Sequence, residues 1–211
     1  MNPSESIPGP AYRILTPRLV LRCLEPKDNS LLEAAVEQSL DHLLPWMSWA
    51  KEYPLSLQAR IQLLRKWRGN FDSGLDFGYG IFNPAEDMLL GSTGLHTRLG
   101  MDAREIGYWI HKDHLNQGLA TETAAALTRV AFQIDRVKRV EIHCAPNNLR
   151  SAAVPKKLGF VHEATLHNRG VDADGNLRDT MIWTLFAEDY PSSLSAKMVI
   201  EAFDVIGRKI I

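Results

Sequence analysis

The chain has 211 residues, of which 45% are hydrophobic, so it is long and apolar enough for one domain with a proper core. Its 24 Lys and Arg residues are balanced by 25 Asp and Glu residues, so the chain lacks the basic excess that nucleic-acid binding needs to neutralise phosphates. We therefore expect no nucleic-acid partner. The two cysteines lie far apart, so we expect no disulfide framework. The sequence shows neither a signal-peptide pattern nor a run of about 20 apolar residues, so we expect a cytoplasmic protein without a membrane partner.

The hydrophobic pattern predicts strands and helices along a single domain. Alternating apolar residues predict strands at 18–24, 77–83, 88–96, 105–110, 138–144, 160–167 and 177–186. Apolar spacings of three and four predict helices at 30–42, 56–71, 118–135 and 148–158. Residues 83–87 and the pair Asp174-Gly175 have the composition of hairpin turns. This order predicts one α/β domain with a mixed sheet.

The two ends of the chain differ from the domain between them. Residues 1–12 are rich in proline and are predicted to be a mobile N-terminus, followed by the domain at 13–190. Residues 191–211 are predicted to be a helical extension, whose apolar residues at helical spacing are Met198, Val199, Ala202, Phe203, Ile206 and Ile210. We expect this face to pack against the domain or a second copy, which leaves a homodimer open.

The strand predicted at 105–110 has two different faces. Ile106, Tyr108 and Ile110 share one face, because side chains alternate along a strand. Glu105 lies on the other face with Trp109. By itself this pattern favours a solvated carboxylate over a functional one.

A strand, a short loop and a helix start follow one another at residues 108–121. Gly118 and Ala120 are small enough to let a ligand approach the backbone. A helix start leaves about four N–H groups unpaired and carries partial positive charge, so it suits a pyrophosphate. On this segment alone, an ordinary helix start with a packing glycine is an equally good interpretation.

Read with Asn148-Leu149-Arg150-Ser151 and Lys157-Leu158-Gly159-Phe160, this segment resembles the GNAT acetyltransferases. That family cradles the CoA pyrophosphate with Arg/Gln-x-x-Gly-x-Gly/Ala, and residues 115–120 match it except at Leu115. Residues 16–22, 44–49 and 105–110 resemble the ribosomal-protein N-acetyltransferase branch, and the resemblance covers residues 13–190.

The resemblance implies a single GNAT-type α/β (α+β) domain with a mixed, mostly antiparallel twisted sheet flanked by helices. It implies acetyl-CoA as co-substrate, in a cleft between the strands that end near Ile110 and Cys144. Backbone N–H groups near Trp109 and Ile110 would polarise the thioester carbonyl. The implied cofactor-binding residues are Trp109, Ile110, Gln117, Gly118, Leu119, Ala120, Thr121 and Asn148.

The resemblance also implies catalytic roles. Glu105 becomes the candidate base, directly or through a water, particularly if burial raises its pKa. Pro155 stands where many GNAT enzymes have a tyrosine acid, and Ser151 matches the serine that is assigned that role in the N-terminal acetylating branch. Asn148 and Ser151 can alternatively be helix caps. Trp46 and Trp49 are interpreted equally well as core residues or as the wall of an acceptor pocket.

Two patterns that resemble metal sites are weak. His111 and His114 form an HxxH pair without a third ligand at a telling distance. In residues 172–175 the glycine comes too early for a calcium loop, and the terminal glutamate is missing. We therefore predict no metal.

The predicted function is transfer of acetyl to a primary amine, by direct attack on the thioester. The acceptor expected from the resemblance is the α-amine of a protein or peptide N-terminus. Acetylation of a small amine, such as an antibiotic, polyamine or toxin, remains an alternative. A second alternative is a non-catalytic acyl-CoA sensor.

Overall fold

The computed structural model describes residues 9–172 and 174–211, and within them nine strands form one sheet with four α-helices packed on it. The strands are β1 (Arg13–Leu15), β2 (Val20–Arg22), β3 (Phe77–Phe82), β4 (Leu89–His96), β5 (Ala103–Ile110), β6 (Arg139–Cys144), β7 (Val161–Val171), β8 (Leu177–Phe186) and β9 (Glu201–Phe203). The helices are α1 (Asn29–Leu43), α2 (Leu57–Asp72), α3 (Leu119–Gln133) and α4 (Leu149–Leu158). The predicted α/β fold class is confirmed.

The sheet contains a gap between β5 and β6. Its strand order is β7-β8-β6-β5-β4-β3-β2-β1-β9, and among the described strands only β5 and β6 run parallel. Their register ends at Glu105 and Glu141, although β5 continues to Ile110 and β6 to Cys144. The carboxyl ends of these two strands are therefore unpaired with each other. Ligands of open α/β sheets bind at such a place, outside the carboxyl ends of the strands.

The two faces of β5 belong to different hydrophobic clusters. Ile106 and Ile110 pack in one cluster with Leu127 of α3. Trp109 packs in the other cluster with Val36 of α1. The predicted alternation of this strand is confirmed, because neighbouring side chains point to opposite faces of the sheet. Tyr108 consequently packs against the first cluster, on the opposite side from Trp109.

The predicted helical extension is wrong in its secondary structure. Residues 201–203 form β9, which pairs antiparallel with β1, and Val199 and Ile206 are 72% and 71% exposed. Ala202 is fully buried and Ile200 nearly so, so the tail does pack against the domain. The tail contains several β-branched residues, which favour extended backbone, and β1 offers it an unpaired edge. Apolar residues at every third or fourth position predict a helix, but this local pattern could not reveal the distant pairing with β1.

The packed chain begins before residue 13. Of the predicted mobile segment, residues 1–8 lie outside the described residues. Ala11 is fully buried, and the N–H of Tyr12 donates to the carbonyl of Phe203 at 2.8 Å. Ala11 and Tyr12 thus pack with the domain, and the partner of Tyr12 is supplied by β9.

No helix within residues 9–172 and 174–211 is long and apolar enough to cross a membrane.

Candidate active site

Two cavities meet at β5. The larger, about 630 Å³, is lined by the first residues of α3 and α4, and we call it the helix-end cavity. The smaller, about 530 Å³, is lined by Trp49, Tyr53 and Trp67, and we call it the aromatic cavity. Met47, Tyr108 and Trp109 line both. A group at these shared residues can therefore contact ligands in both cavities.

Two helix starts face the helix-end cavity. Gly118 precedes α3 with φ of +79°, a left-handed conformation that favours glycine, and Leu119, Ala120 and Thr121 follow it along the cavity wall. Asn148 caps α4, since its Oδ1 accepts a hydrogen bond from the N–H of Ser151 at 3.1 Å. Both helices point their partial positive charge at the cavity, which suits a phosphate.

Cationic side chains add to this charge. Arg150 and Lys157 line the helix-end cavity. Arg18 binds Glu122 of α3 through Nε at 2.6 Å and donates to the carbonyl of Gln117 at 2.9 Å, so it holds the loop in front of α3. Gln117 itself is exposed and does not line the cavity, because its side chain turns back to the carbonyl of Asp113.

The backbone of β5 presents polar groups to the gap beside β6. His111 N–H donates to Leu90, and the carbonyl of Gly107 accepts from Thr93, so these odd-numbered residues direct their backbone groups toward β4. Backbone groups alternate along a strand, so the N–H groups of Tyr108 and Ile110 point toward the gap. The N–H of Trp109 points toward β4, which leaves Ile110 as the better placed of the two predicted donors.

Ser151 lies in the helix-end cavity beside a hydroxyl that sequence reasoning missed. The Tyr108 hydroxyl donates to the carbonyl of Ser151 at 3.1 Å and lies 3.3 Å from its Oγ. Burial raises the pKa of Tyr108, so its proton stays on the ring oxygen. The available signal was the predicted face of β5, which already placed Tyr108 on the side of α3. Pro155, the position of the missing family tyrosine, does not line either cavity.

The two predicted tryptophans line different cavities. Trp49 lines it and packs against Trp109, with ring centroids 6.2 Å apart, and against Tyr53 at 5.8 Å. Trp46 lines the helix-end cavity instead, and its carbonyl accepts from Arg178 of β8 at 3.0 Å. The polar lining of the aromatic cavity includes Asp76, His96 and Arg98.

Glu105 is buried, with Arg98 and His143 beside its carboxylate. Arg98 donates to its carboxylate through Nε at 2.6 Å and through Nη2, and His143 Nδ1 lies 3.6 Å away. Burial by itself would raise the pKa of Glu105, but Arg98 and His143 outweigh it and hold the pKa below its usual value. A pKa raised by burial, the condition that would favour Glu105 as a base, is therefore not met. Glu105 does not line the aromatic cavity, which it reaches through Arg98.

The weak metal patterns find no support as a cluster. Within residues 9–172 and 174–211, no group of three or more His, Cys, Asp or Glu side chains could hold a metal ion. His111 Nδ1 accepts from the N–H of Asp113, and Asp172 accepts from the N–H groups of Asp174 and Asn176. These are local turn contacts.

Comparison with known proteins confirms the resemblance. A family model described as the acetyltransferase (GNAT) domain matches residues 18–161. The [ribosomal protein uS5]-alanine N-acetyltransferase of Escherichia coli (strain K12) is 27% identical over 186 residues, which cover 86% of this chain and 94% of that protein. The ribosomal-protein-serine acetyltransferase of the same organism is 26% identical over 125 residues, covering 57% and 69%.

A solved structure shares the fold. A ribosomal L7/L12 α-N-protein acetyltransferase in complex with coenzyme A superposes with a TM-score of 0.72 at 20% identity. The match covers 81% of this chain and 95% of that chain.

Proposed function

This chain belongs to the GNAT acetyltransferases and is an acetyl-CoA-dependent N-acetyltransferase, and we propose that its acceptor is the α-amine of a protein or peptide N-terminus. The observation that carries this proposal is the meeting of the two cavities at Tyr108 and Trp109, beside Ser151. One cavity suits an anionic cofactor, and the other suits an acceptor that enters along aromatic side chains.

Acetyl-CoA is assigned to the helix-end cavity. The pyrophosphate would accept hydrogen bonds from the N–H groups after Gly118, with Arg150 and Lys157 near its negative charge. A structural relative of the same fold is described with coenzyme A. The pantetheine chain would then run through the gap beside β5, which brings the thioester to Ile110 and Ser151.

The reaction needs a neutral amine, a polarised thioester and a place for the leaving group's charge. The N–H of Ile110 donates to the carbonyl oxygen, on which negative charge develops during attack. The amine nitrogen forms the new C–N bond as the C–S bond breaks. Ser151, whose Oγ lies 3.3 Å from the Tyr108 hydroxyl, donates its hydrogen to the departing sulfur. Because thiols have a pKa of about 8.5, the thiolate needs only modest help.

The choice of an α-amine has two supports. An α-amine has a pKa of about 7.7 to 8.0 against roughly 10.4 for lysine, so much more of it is neutral near pH 7. Relatives are named for the acetylation of ribosomal proteins. In this proposal Trp49 lines the path of the acceptor. Glu105 acts on the amine through its negative charge or through a water, because Arg98 binds its carboxylate oxygens.

The test is a comparison of kcat/KM for three classes of acceptor. The first class is peptides with unblocked N-termini, the second is the same peptides with blocked N-termini and an internal lysine, and the third is a panel of aminoglycosides and polyamines. We expect the first class to react fastest. A preference for blocked peptides or small amines would overturn the acceptor, and a lack of CoA release with every amine would overturn the enzymatic proposal in favour of an acyl-CoA sensor.

A further inference from the structure

A histidine outside the predicted site lies in the aromatic cavity, over two glycines. His96 is the last residue of β4, and it lines the cavity with Gly94 and Gly107, which are register partners on β4 and β5. A Cβ added at Gly94 would lie 2.4 Å from His96 Nε2, and one added at Gly107 would lie 3.3 Å from it. The imidazole therefore occupies space that only paired glycines leave open on this face of the sheet.

Asp76 holds the other nitrogen of this ring. His96 Nδ1 lies 2.9 Å and 3.1 Å from the two carboxylate oxygens of Asp76, which also accepts from the N–H of Thr97 at 3.3 Å. Burial would raise the pKa of Asp76, but its hydrogen bonds to His96 and to the N–H of Thr97 outweigh burial and hold the pKa below its usual value. An ionised Asp76 can only accept, so Nδ1 carries a hydrogen and donates it.

In the neutral ring, a hydrogen on Nδ1 leaves the lone pair on Nε2. Within residues 9–172 and 174–211, Nε2 of His96 has no hydrogen-bond partner. It lies against Gly107, two residues before Trp109 on the same face of β5. Two residues of strand span about 7 Å, so one water between them can connect Nε2 to an amine that attacks a thioester beside Trp109.

We propose that His96, oriented by Asp76, is the base that takes a proton from the acceptor's ammonium group in the aromatic cavity. This inference rests on the function proposed above. The ammonium gives one proton to Nε2, and the neutral nitrogen then attacks the acetyl carbon. The C–S bond breaks, the second amine proton passes to the thiolate by way of Ser151, and the imidazolium later releases its proton to water. The products are the acetylated amine, CoA thiol and one proton.

The neighbouring charges make Glu105 a poor proton acceptor. The charged groups that line the aromatic cavity with His96 are Glu52 between α1 and α2, Asp76 before β3 and Arg98 after β4, and Glu105 is the register partner of His96 on β5. Arg98 binds both carboxylate oxygens of Glu105, which lowers its pKa. Imidazole is also the side chain whose protonation changes nearest to neutral pH.

The test compares pH profiles of His96→Gln and wild type, with an unblocked peptide as acceptor between pH 6 and 10. Gln cannot take up the proton, so we expect kcat/KM near pH 7 to fall about 100-fold or more, with the dissociation constant of acetyl-CoA unchanged. The loss should shrink above pH 9, because the α-amine is then already neutral. His167→Gln is the matched control, since His167 Nδ1 binds Asp179 at 2.9 Å on the exposed hairpin, and it should keep the wild-type profile.

The outcomes separate this inference from the proposed function. A His96→Gln enzyme that binds acetyl-CoA and shows the same loss at every pH, or none, would mean that His96 is structural. If His96→Gln does not fold, Asp76→Asn supplies the test, with a smaller loss expected near pH 7 that also shrinks as the pH rises. Wild-type protein without turnover on any acceptor would overturn the proposed function and this inference together.

Discussion

The helix-end cavity and the aromatic cavity are built from different parts of the chain. The first is lined largely by consecutive residues at the starts of α3 and α4, where backbone N–H groups are unpaired. The second is lined by side chains from α1, α2, β3, β4, β5 and the segment between α1 and α2. A backbone site tolerates changes of side chain, whereas a side-chain site can be altered residue by residue. This difference suits a constant cofactor on one side and a particular acceptor on the other.

Among variants that compare the two cavities, the largest expected effect lies where the cavities meet. Ser151→Ala should lower kcat about 100-fold, because the departing thiolate loses its hydrogen-bond donor, while the dissociation constant of acetyl-CoA stays within severalfold. Tyr108→Phe should lower kcat less, and the double variant should match Ser151→Ala, since the two hydroxyls act as one unit. Steady-state kinetics and calorimetry measure both quantities.

Ser192→Ala is the control for this junction, because the Ser192 hydroxyl bonds the carbonyl of Asp189 at 2.8 Å outside both cavities. Wild-type kcat in Ser151→Ala, or a loss confined to acetyl-CoA binding, would contradict the proposed role of Ser151.

The next effect tests the backbone site. Gly118→Val forces a branched side chain into a left-handed conformation, a strain of about 1–3 kcal/mol that the loop can relieve only by moving. We expect the dissociation constant of acetyl-CoA to rise roughly 10- to 100-fold by calorimetry. Gly175→Val is matched to it, since Gly175 has φ of +85° in the hairpin turn away from both cavities, and it should leave binding unchanged. Equal acetyl-CoA affinities for the two variants would contradict the assignment of the pyrophosphate to this loop.

The smallest effect tests the side-chain site. Trp49→Ala removes the ring that packs against Trp109 and Tyr53, so kcat/KM for the acceptor should fall roughly 10-fold without a change in acetyl-CoA affinity. Trp46→Ala should show the opposite pattern, because Trp46 lines the helix-end cavity. If both variants alter the kinetics or binding of the same substrate, the two cavities do not bind separate substrates as proposed.

Local patterns in the sequence determined much of this protein. They predicted the four helices and most strands to within a few residues, because hydrogen bonds of helices and hairpins close over short distances. They also predicted the opposite faces of Tyr108 and Trp109, and the helix start at Gly118, since strand alternation and helix ends are properties of consecutive residues.

Only the tertiary structure decided which distant residues meet. The tail became β9 because β1 offered an unpaired edge almost the whole chain away. The lowered pKa of Glu105 depends on Arg98, which reaches back from the loop after β4. Tyr108 meets Ser151 across 43 residues, and His96 meets Asp76 across 20. Such pairs depend on how the sheet packs against its helices. The local sequence around a residue does not show which distant residue this packing brings into contact with it.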